Sequence, residues 1–271
     1  MKPKICNRRK ISLFTSLLII MILSTSAVKL IPSGVYDWNR LQNVINNTGW
    51  VRNILKGPTQ TLEMFDIKAV ALDAGKRTQT YQIKKGCDEL IIIKEGSAEI
   101  TINTESELLN EGSIAVASQG DRISMKNPKS GNLIYYSFSF KPEQGKPAQL
   151  ASNRFKPFLE EWDTIIFKPS ANGGRRNIIN QATTAMKQLE IHVTTLNEGV
   201  SSHTPHAHPD EELILVKFGI VEMTIKGTPF RLGPGSICFL TSNDLHGGSN
   251  AGDGKCEYYA IRWVTTAEKT K

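Results

Sequence analysis

Residues 88–96 read DELIIIKEG, and residues 211–219 read EELILVKFG. Each stretch is an acidic pair, an apolar run, a lysine and, two positions on, a glycine. Short, rich in β-branched residues and stopped by glycine, each reads as a strand. The correspondence spreads outward from them. At the same offset of 123, Gly112-Ser113-Ile114 pairs with Gly235-Ser236-Ile237, Asn127 with Asn250, and Tyr135-Tyr136 with Tyr258-Tyr259. Upstream the offset is 124: Trp38, Gly49 and Arg52-Asn53-Ile54-Leu55 match Trp162, Gly173 and Arg176-Asn177-Ile178-Ile179. A register held over about a hundred residues predicts a tandem duplication.

The flanking runs IAVAS, LIYYSFSF, ICFLT and EYYAIRW are also short, β-branched or aromatic, and punctuated by turns such as Asn127-Pro128, Gly233-Pro234-Gly235 and residues 250–254. Many short strands predict an all-β sandwich or barrel, and duplication predicts two in tandem. We place one over residues 36–141 and the other over 157–267, with a polar linker at 142–156 containing KPEQGKPAQLASNRFKP in its neighbourhood. Composition agrees: of 271 residues, 39% are hydrophobic and 22% charged, which is a globular balance. Twelve prolines and 21 glycines argue against a helical bundle. Four cysteines in so long a chain exclude a small disulfide scaffold.

The net charge of +7 is misleading until it is located. Lys2, Lys4, Arg8, Arg9 and Lys10 stand in residues 1–27 without an acid, which leaves +2 for everything else. That argues against a nucleic-acid partner. The basic cluster is followed by ISLFTSLLIIMILSTSA, a short apolar core ending in small residues. The pattern predicts a signal peptide over residues 1–27, cut near Ser26 or Ala27; the alternative is an uncleaved anchor. Either places the body of the chain outside the cytoplasm, periplasmic or secreted in the first case and tethered in the second. No membrane contact beyond the leader is expected. Cys87, Cys238 and Cys256 remain, an odd number; Cys238 and Cys256 read as buried small residues, with a disulfide between them as the alternative.

All five histidines, His192, His203, His206, His208 and His246, fall in the second copy. Positions two apart on a strand share a face, so His206 and His208 aim together, Glu212 can return to the same site, and His246 arrives from a separate strand or turn. Three imidazoles and a carboxylate suit a borderline transition ion such as Fe, Mn, Ni, Cu or Zn, whereas a hard-cation cage needs more oxygen. The spacing HxH, three residues, Glu212, six residues, Gly219 resembles the first motif of the cupin superfamily. Gly235, ten residues, His246, three residues, Asn250 resembles most of the second. Over residues 36–267 the chain resembles a bicupin. The resemblance implies two double-stranded β-helix (jelly-roll) barrels, with His206, His208, Glu212 and His246 holding one divalent metal (Mn, Fe, Ni or Zn) inside the second. It also implies a small-molecule substrate or ligand and a homodimer.

There are departures. A glycine usual before the histidine pair sits one residue early, at Gly199, and Thr241 and Asn243 replace the usual proline and glycine before the last histidine. Asn tolerates positive φ, so the turn should survive. In the first copy Ile83, Lys85 and Ile123 stand where the histidines would be, and only Glu89 keeps its identity. That copy reads as a metal-free structural partner. His203, on the approach loop, is a substrate-contact candidate or an exposed loop residue. Arg262, whose counterpart is Ser139, would clamp a substrate carboxylate if it faces inward and is an ordinary surface arginine if it faces outward. His192 reads as structural or surface. No general base stands out. Cupin chemistry then leaves several readings. One is an extracytoplasmic metalloenzyme acting on a sugar, sugar acid or related oxygenated compound by isomerase, lyase or dioxygenase chemistry. Another is a non-catalytic metal-dependent binding or storage module. A third is a relative of the bicupin ureidoglycine aminohydrolases, similar in architecture but different in ligand pattern.

Overall fold

A computed structural model of the protein describes residues 29–128, 131–143 and 155–265. The expected leader and the middle of the expected linker lie outside the described residues. Apart from two single-turn 3-10 segments, Trp38–Arg40 and Trp162–Thr164, the regular structure described is β-strand. No described helix is long and apolar enough to cross a membrane.

The two repeated apolar runs are inner strands, Asp88–Glu95 and Glu211–Phe218, of two seven-stranded sheets. Around the first lie Ile114–Ser118 on one side and Leu133–Pro142, Leu62–Leu72, Gly49–Gly57 and Val44–Asn46 on the other. Around the second lie Ile237–Leu240 and, opposite, Cys256–Val264, Gln188–Leu196, Gly173–Gln181 and Phe167–Ser170. A four-stranded sheet built on Ser97–Ile102 faces the first, and a three-stranded sheet built on Val221–Ile225 faces the second. Each half is thus a jelly-roll barrel.

Alternation decides what each inner strand buries. Leu90, Ile92, Leu213 and Leu215 point into one core between the two large sheets, whereas Ile91 and Ile93, and Ile214 and Val216, point into the separate lumens. The shared core is aromatic: Phe65 lies 4.9 Å from Phe140 and 5.1 Å from Trp263, ring centre to ring centre. Burial of each such side chain contributes roughly 1.5–3 kcal/mol, which makes this core the main cement between halves.

Strand exchange adds to it. Gly34–Tyr36 pairs with Ile237–Leu240 of the second half, and Phe158–Glu160 pairs with Ile114–Ser118 of the first. Residues 158–160, placed by the sequence in the second barrel, therefore complete the sheet of the first. Apolar pattern marks a strand but not its partner, so the boundary near 157 separates stretches of chain rather than sheets.

The two tryptophan turns make matching cross-contacts. The Trp38 amide donates to Ser236 Oγ at 3.1 Å, and the Trp162 amide donates to Ser113 Oγ at 2.9 Å. Their rings lie over Gly235 and Gly112, where a Cβ would come within 2.8 and 2.6 Å. Tyr136 and Tyr259 donate across to the carbonyls of the same glycines at 3.0 and 2.7 Å. Tyr135 and Tyr258, their neighbours, turn into the lumens, so the tyrosine pairs serve packing as their repetition implies. Cys87, Cys238 and Cys256 are buried free thiols, the last two packed in the second lumen, and no Cys238–Cys256 bridge forms. Burial pushes all three thiols up, Cys256 to about 11.

Two buried carboxylates join the halves chemically. Glu211 accepts from Thr59 Oγ1 at 2.6 Å and from the Gln60 amide at 2.9 Å. Asp88 accepts from Thr183 Oγ1, from Ser118 Oγ at 2.6 Å and from the Ala185 amide at 3.3 Å. Burial pushes the Asp88 carboxyl up to about 6 despite these donors. A folded-state value above the ordinary 3.8 favours the protonated acid. Its stabilisation is therefore complete below the unfolded value and is lost as pH rises through the folded one. Asp88→Asn keeps an acceptor for Thr183 and offers a donor to Ser118. Between about pH 4 and 7, urea unfolding should show wild type losing about 2 kcal/mol relative to this variant. Parallel pH profiles for the two proteins would refute the assignment.

Candidate metal centre

Glu212 follows Glu211 and so faces the other way, into the second lumen. Its sheet neighbours are set by register: Glu190, Arg262 and Glu212 form one row across three adjacent strands, and His192, Ala260 and Ile214 form the next. His246 opens the strand His246–Asn250. His206 pairs with it in an isolated antiparallel bridge, each amide donating to the other's carbonyl at 2.9 Å. Before His246, Asn243 takes φ +63°, as Gly120 takes +86° in the first half, and the Asn243 amide donates to the His208 carbonyl at 2.7 Å. The substitution of Asn for glycine is accommodated as its tolerance of this conformation predicts.

These elements bring His206, His208 and His246 together, with one potential ligand atom of each lying within 4.8 Å of the others. Three imidazoles so placed can hold a metal ion. Glu212 Oε2 lies 3.3 Å from His208 Nε2 and 3.3 Å from His246 Nε2. Nδ1 of His208 donates to the Asp210 carbonyl at 2.9 Å and Nδ1 of His246 to the Asp244 carbonyl at 2.7 Å, since a carbonyl can only accept. In neutral rings both Nε2 lone pairs then face the lone pairs of Glu212, an arrangement that calls for a cation among them. His246 Nε2 is buried with no hydrogen-bond partner, which fits the same requirement.

A ring proton can supply the same positive charge beside Glu212. Burial alone would raise the Glu212 carboxyl, but its contacts with His208 and His246 outweigh that and hold it at about 2. Burial and three neighbouring imidazoles lower His206 and so favour the neutral, ligating ring. Burial also disfavours charge on His246, but Glu212 and the Asp244 carbonyl outweigh it and raise this ring.

The site opens into a cavity of about 450 Å³. Arg262 lines it, as expected of an inward side chain, but is already engaged: it pairs with Glu190 and lies 3.8 Å from Asp210. Arg175 holds the other oxygen of Glu190 at 2.9 Å. His203 is exposed, with Nδ1 3.1 Å from His206 Nδ1. His192, expected to be structural or on the surface, instead lines the cavity. Leu189, Ile191 and Val193 face the core between the sheets, so the opposite face of that strand is the lumen. Burial and Arg175 lower the His192 ring to about 4 against the pull of Glu190, whose carboxylate is 3.4 Å away, so His192 is neutral near pH 7. Glu190, held ionised by its arginines against its own burial, also went unnoticed in the sequence.

Known proteins share this geometry's framework. Residues 192–262 match the family model of the cupin domain. The matched stretch runs from His192 to Arg262 and contains all four expected ligands. No curated protein matches the chain. Solved structures share the fold. Protein Ylba from E. coli, of family DUF861, superposes with a TM-score of 0.71 at 11% identity, covering 92% of this chain and 97% of its own. Oxalate decarboxylase from Lactobacillus farciminis, in its formate complex, gives 0.65 at 12% identity over 89% and 87%. AerE from Microcystis aeruginosa gives 0.63 at 14% identity over 85% and 98%.

The first half lacks the imidazoles. Ile83 and Ile123 pack in its lumen, Lys85 is exposed, and Glu89 accepts from Tyr81 Oη at 2.5 Å and from Ser137 Oγ at 3.0 Å. Hydroxyl groups there serve the carboxylate that faces imidazoles in the second half.

Replacing both His206 and His208 by Ala should abolish uptake of a divalent metal while shifting the thermal midpoint of the metal-free protein little, because both lie off the apolar cores. Wild-type affinity should fall on acidification, since a proton on the His246 ring, which Glu212 and the Asp244 carbonyl favour, competes with the metal. Elemental analysis and pH-resolved titration check both.

Proposed function

We propose that this chain is an extracytoplasmic metal-dependent enzyme that transforms a small, negatively charged oxygenated metabolite, such as a sugar acid. The observation that carries this reading is the juxtaposition, in one cavity, of a metal-competent imidazole cluster with a neutral histidine and an arginine pair. His206, His208, His246 and Glu212 would hold one divalent ion, of Mn, Fe, Ni or Zn. Such an ion supplies Lewis-acid polarisation or, if redox-active, dioxygen chemistry.

The other roles fall to residues of the chain itself. Lys168, Arg175 and Arg262 against Glu190 and Glu212 give the cavity lining a charge of +1 before any metal is added, so an anion is the favoured guest. Arg262 and Arg175 orient it, the fork of each guanidinium suiting a carboxylate. His192 accepts a proton from the bound molecule, its neutral ring maintained by burial. Ala260, between His192 and Ile214 in the sheet, leaves room for the substrate. Met223 and Tyr258 add apolar wall. The basic and apolar leader pattern of residues 1–27 supports a periplasmic or secreted location.

The alternative, a binding or storage module, is motivated by the want of a base and by the metal-free first barrel; His192 bears on the first of these and favours the enzyme. The test is incubation of protein loaded with Mn, Fe, Ni or Zn with a mixture of sugar acids and small carboxylates, oxalate included. We expect one compound to be consumed, and His192→Ala to slow turnover about 10²- to 10⁴-fold with metal content unchanged. Saturable binding without consumption under any of the metals would establish the binding module instead.

A further inference from the structure

The loop at residues 241–245 delivers His246, and its shape is held from outside itself. In the first half the corresponding pair is linked directly, Asp121 Oδ2 accepting the Ser118 amide at 3.0 Å, while Asn103 holds the other Asp121 oxygen at 2.9 Å. In the second half the equivalent pair, Asp244 and Thr241, is bridged by a hydroxyl from far up the chain. Ser33 Oγ accepts the Thr241 amide at 2.8 Å, donates to Asp244 Oδ2 at 2.7 Å and lies 3.1 Å from Thr241 Oγ1. The loop's internal turn bond, Asp244 amide to Thr241 carbonyl, is long at 3.3 Å, and Asn243 is in the left-handed region. The other Asp244 oxygen is taken by Lys226 Nζ at 2.8 Å, and the Asp244 carbonyl accepts from His246 Nδ1. Ser33 is itself placed by its neighbours. Ile31 donates its amide to the Pro58 carbonyl at 2.8 Å, and Gly34–Tyr36 adds to the sheet beside Ile237–Leu240.

We infer that Ser33 is a positioning residue of the metal centre: its hydroxyl fixes the loop whose Asp244 carbonyl orients His246, and metal loading is coupled to docking of residues 31–36. The inference rests on reading the histidines as metal ligands. Groups that orient a ligating histidine affect metal affinity about 10- to 100-fold. Coupling is reciprocal, so the metal must tighten the docked segment by the factor by which the segment tightens the metal.

The test uses the full chain and cobalt(II), whose visible absorption reports ligand geometry. Ser33→Ala should weaken cobalt binding about 10- to 100-fold and alter the spectrum, and Ser33→Thr should restore both. In the wild-type protein, amide hydrogen exchange at Gly34–Tyr36 should slow on adding metal, a readout that needs no variant. Wild-type affinity and spectrum in Ser33→Ala, or exchange at Gly34–Tyr36 indifferent to metal, would overturn the coupling. If the wild-type chain takes up no cobalt at all, the ligand assignment itself has failed and the inference falls with it.

Discussion

Two successive side chains on a β-strand must point to opposite faces, and Glu211 and Glu212 aim one carboxylate into the seam between the halves and the other into the second lumen. Glu211 is fully buried and Glu212 only 14% exposed, so each must find donors or a cation where the strand aims it. Glu211 finds Thr59 and the Gln60 amide of the other half; Glu212 finds imidazoles. The same parity sends Asp88 to Thr183 and Glu89 to Tyr81. A one-residue slip of either strand would bring the lumen acid to the shared aromatic core, so register is strongly specified and the two acids hold assembly and site in fixed relation.

The lumens have diverged within that frame. The first pairs its carboxylate with the hydroxyls of Tyr81 and Ser137 and sets isoleucines where the second has imidazoles, beside a cavity of about 350 Å³. The second concentrates imidazoles, arginines and a neutral histidine, which an apolar barrel tolerates only because each charge has a partner: Glu190 between two guanidiniums, Glu212 between two rings.

Much of this was legible in the sequence. The repeated apolar run marked strands, and the spacing of His206, His208, Glu212 and His246 placed those residues in one lumen. Asn243 was readable as a left-handed turn because few other residues tolerate it. What stayed hidden depended on partner choice. A strand of three residues such as Gly34–Tyr36 carries no mark of the sheet it will join. Thr59 and Thr183 look like ordinary turn residues until the opposite half is in place. The lumen position of His192 stayed hidden because an antiparallel sheet can face either a lumen or water with the same alternation, and only closure of the barrel settles which. Arg262 was legible as a cation near the site, but its engagement by Glu190 was not, since that neighbour lies 72 residues away in the chain.

The crossing of Gly34–Tyr36 and Phe158–Glu160 into opposite sheets bears on how the molecule can be taken apart. Neither barrel is a detachable module: severed at the sequence boundary, each fragment would carry away its sibling's outermost strand and expose a row of vacant amides and carbonyls along Ile237–Leu240 or Ile114–Ser118. Such a margin recruits foreign chains. A break in the backbone between the halves, by contrast, would leave the pieces clasped to one another like hooked fingers.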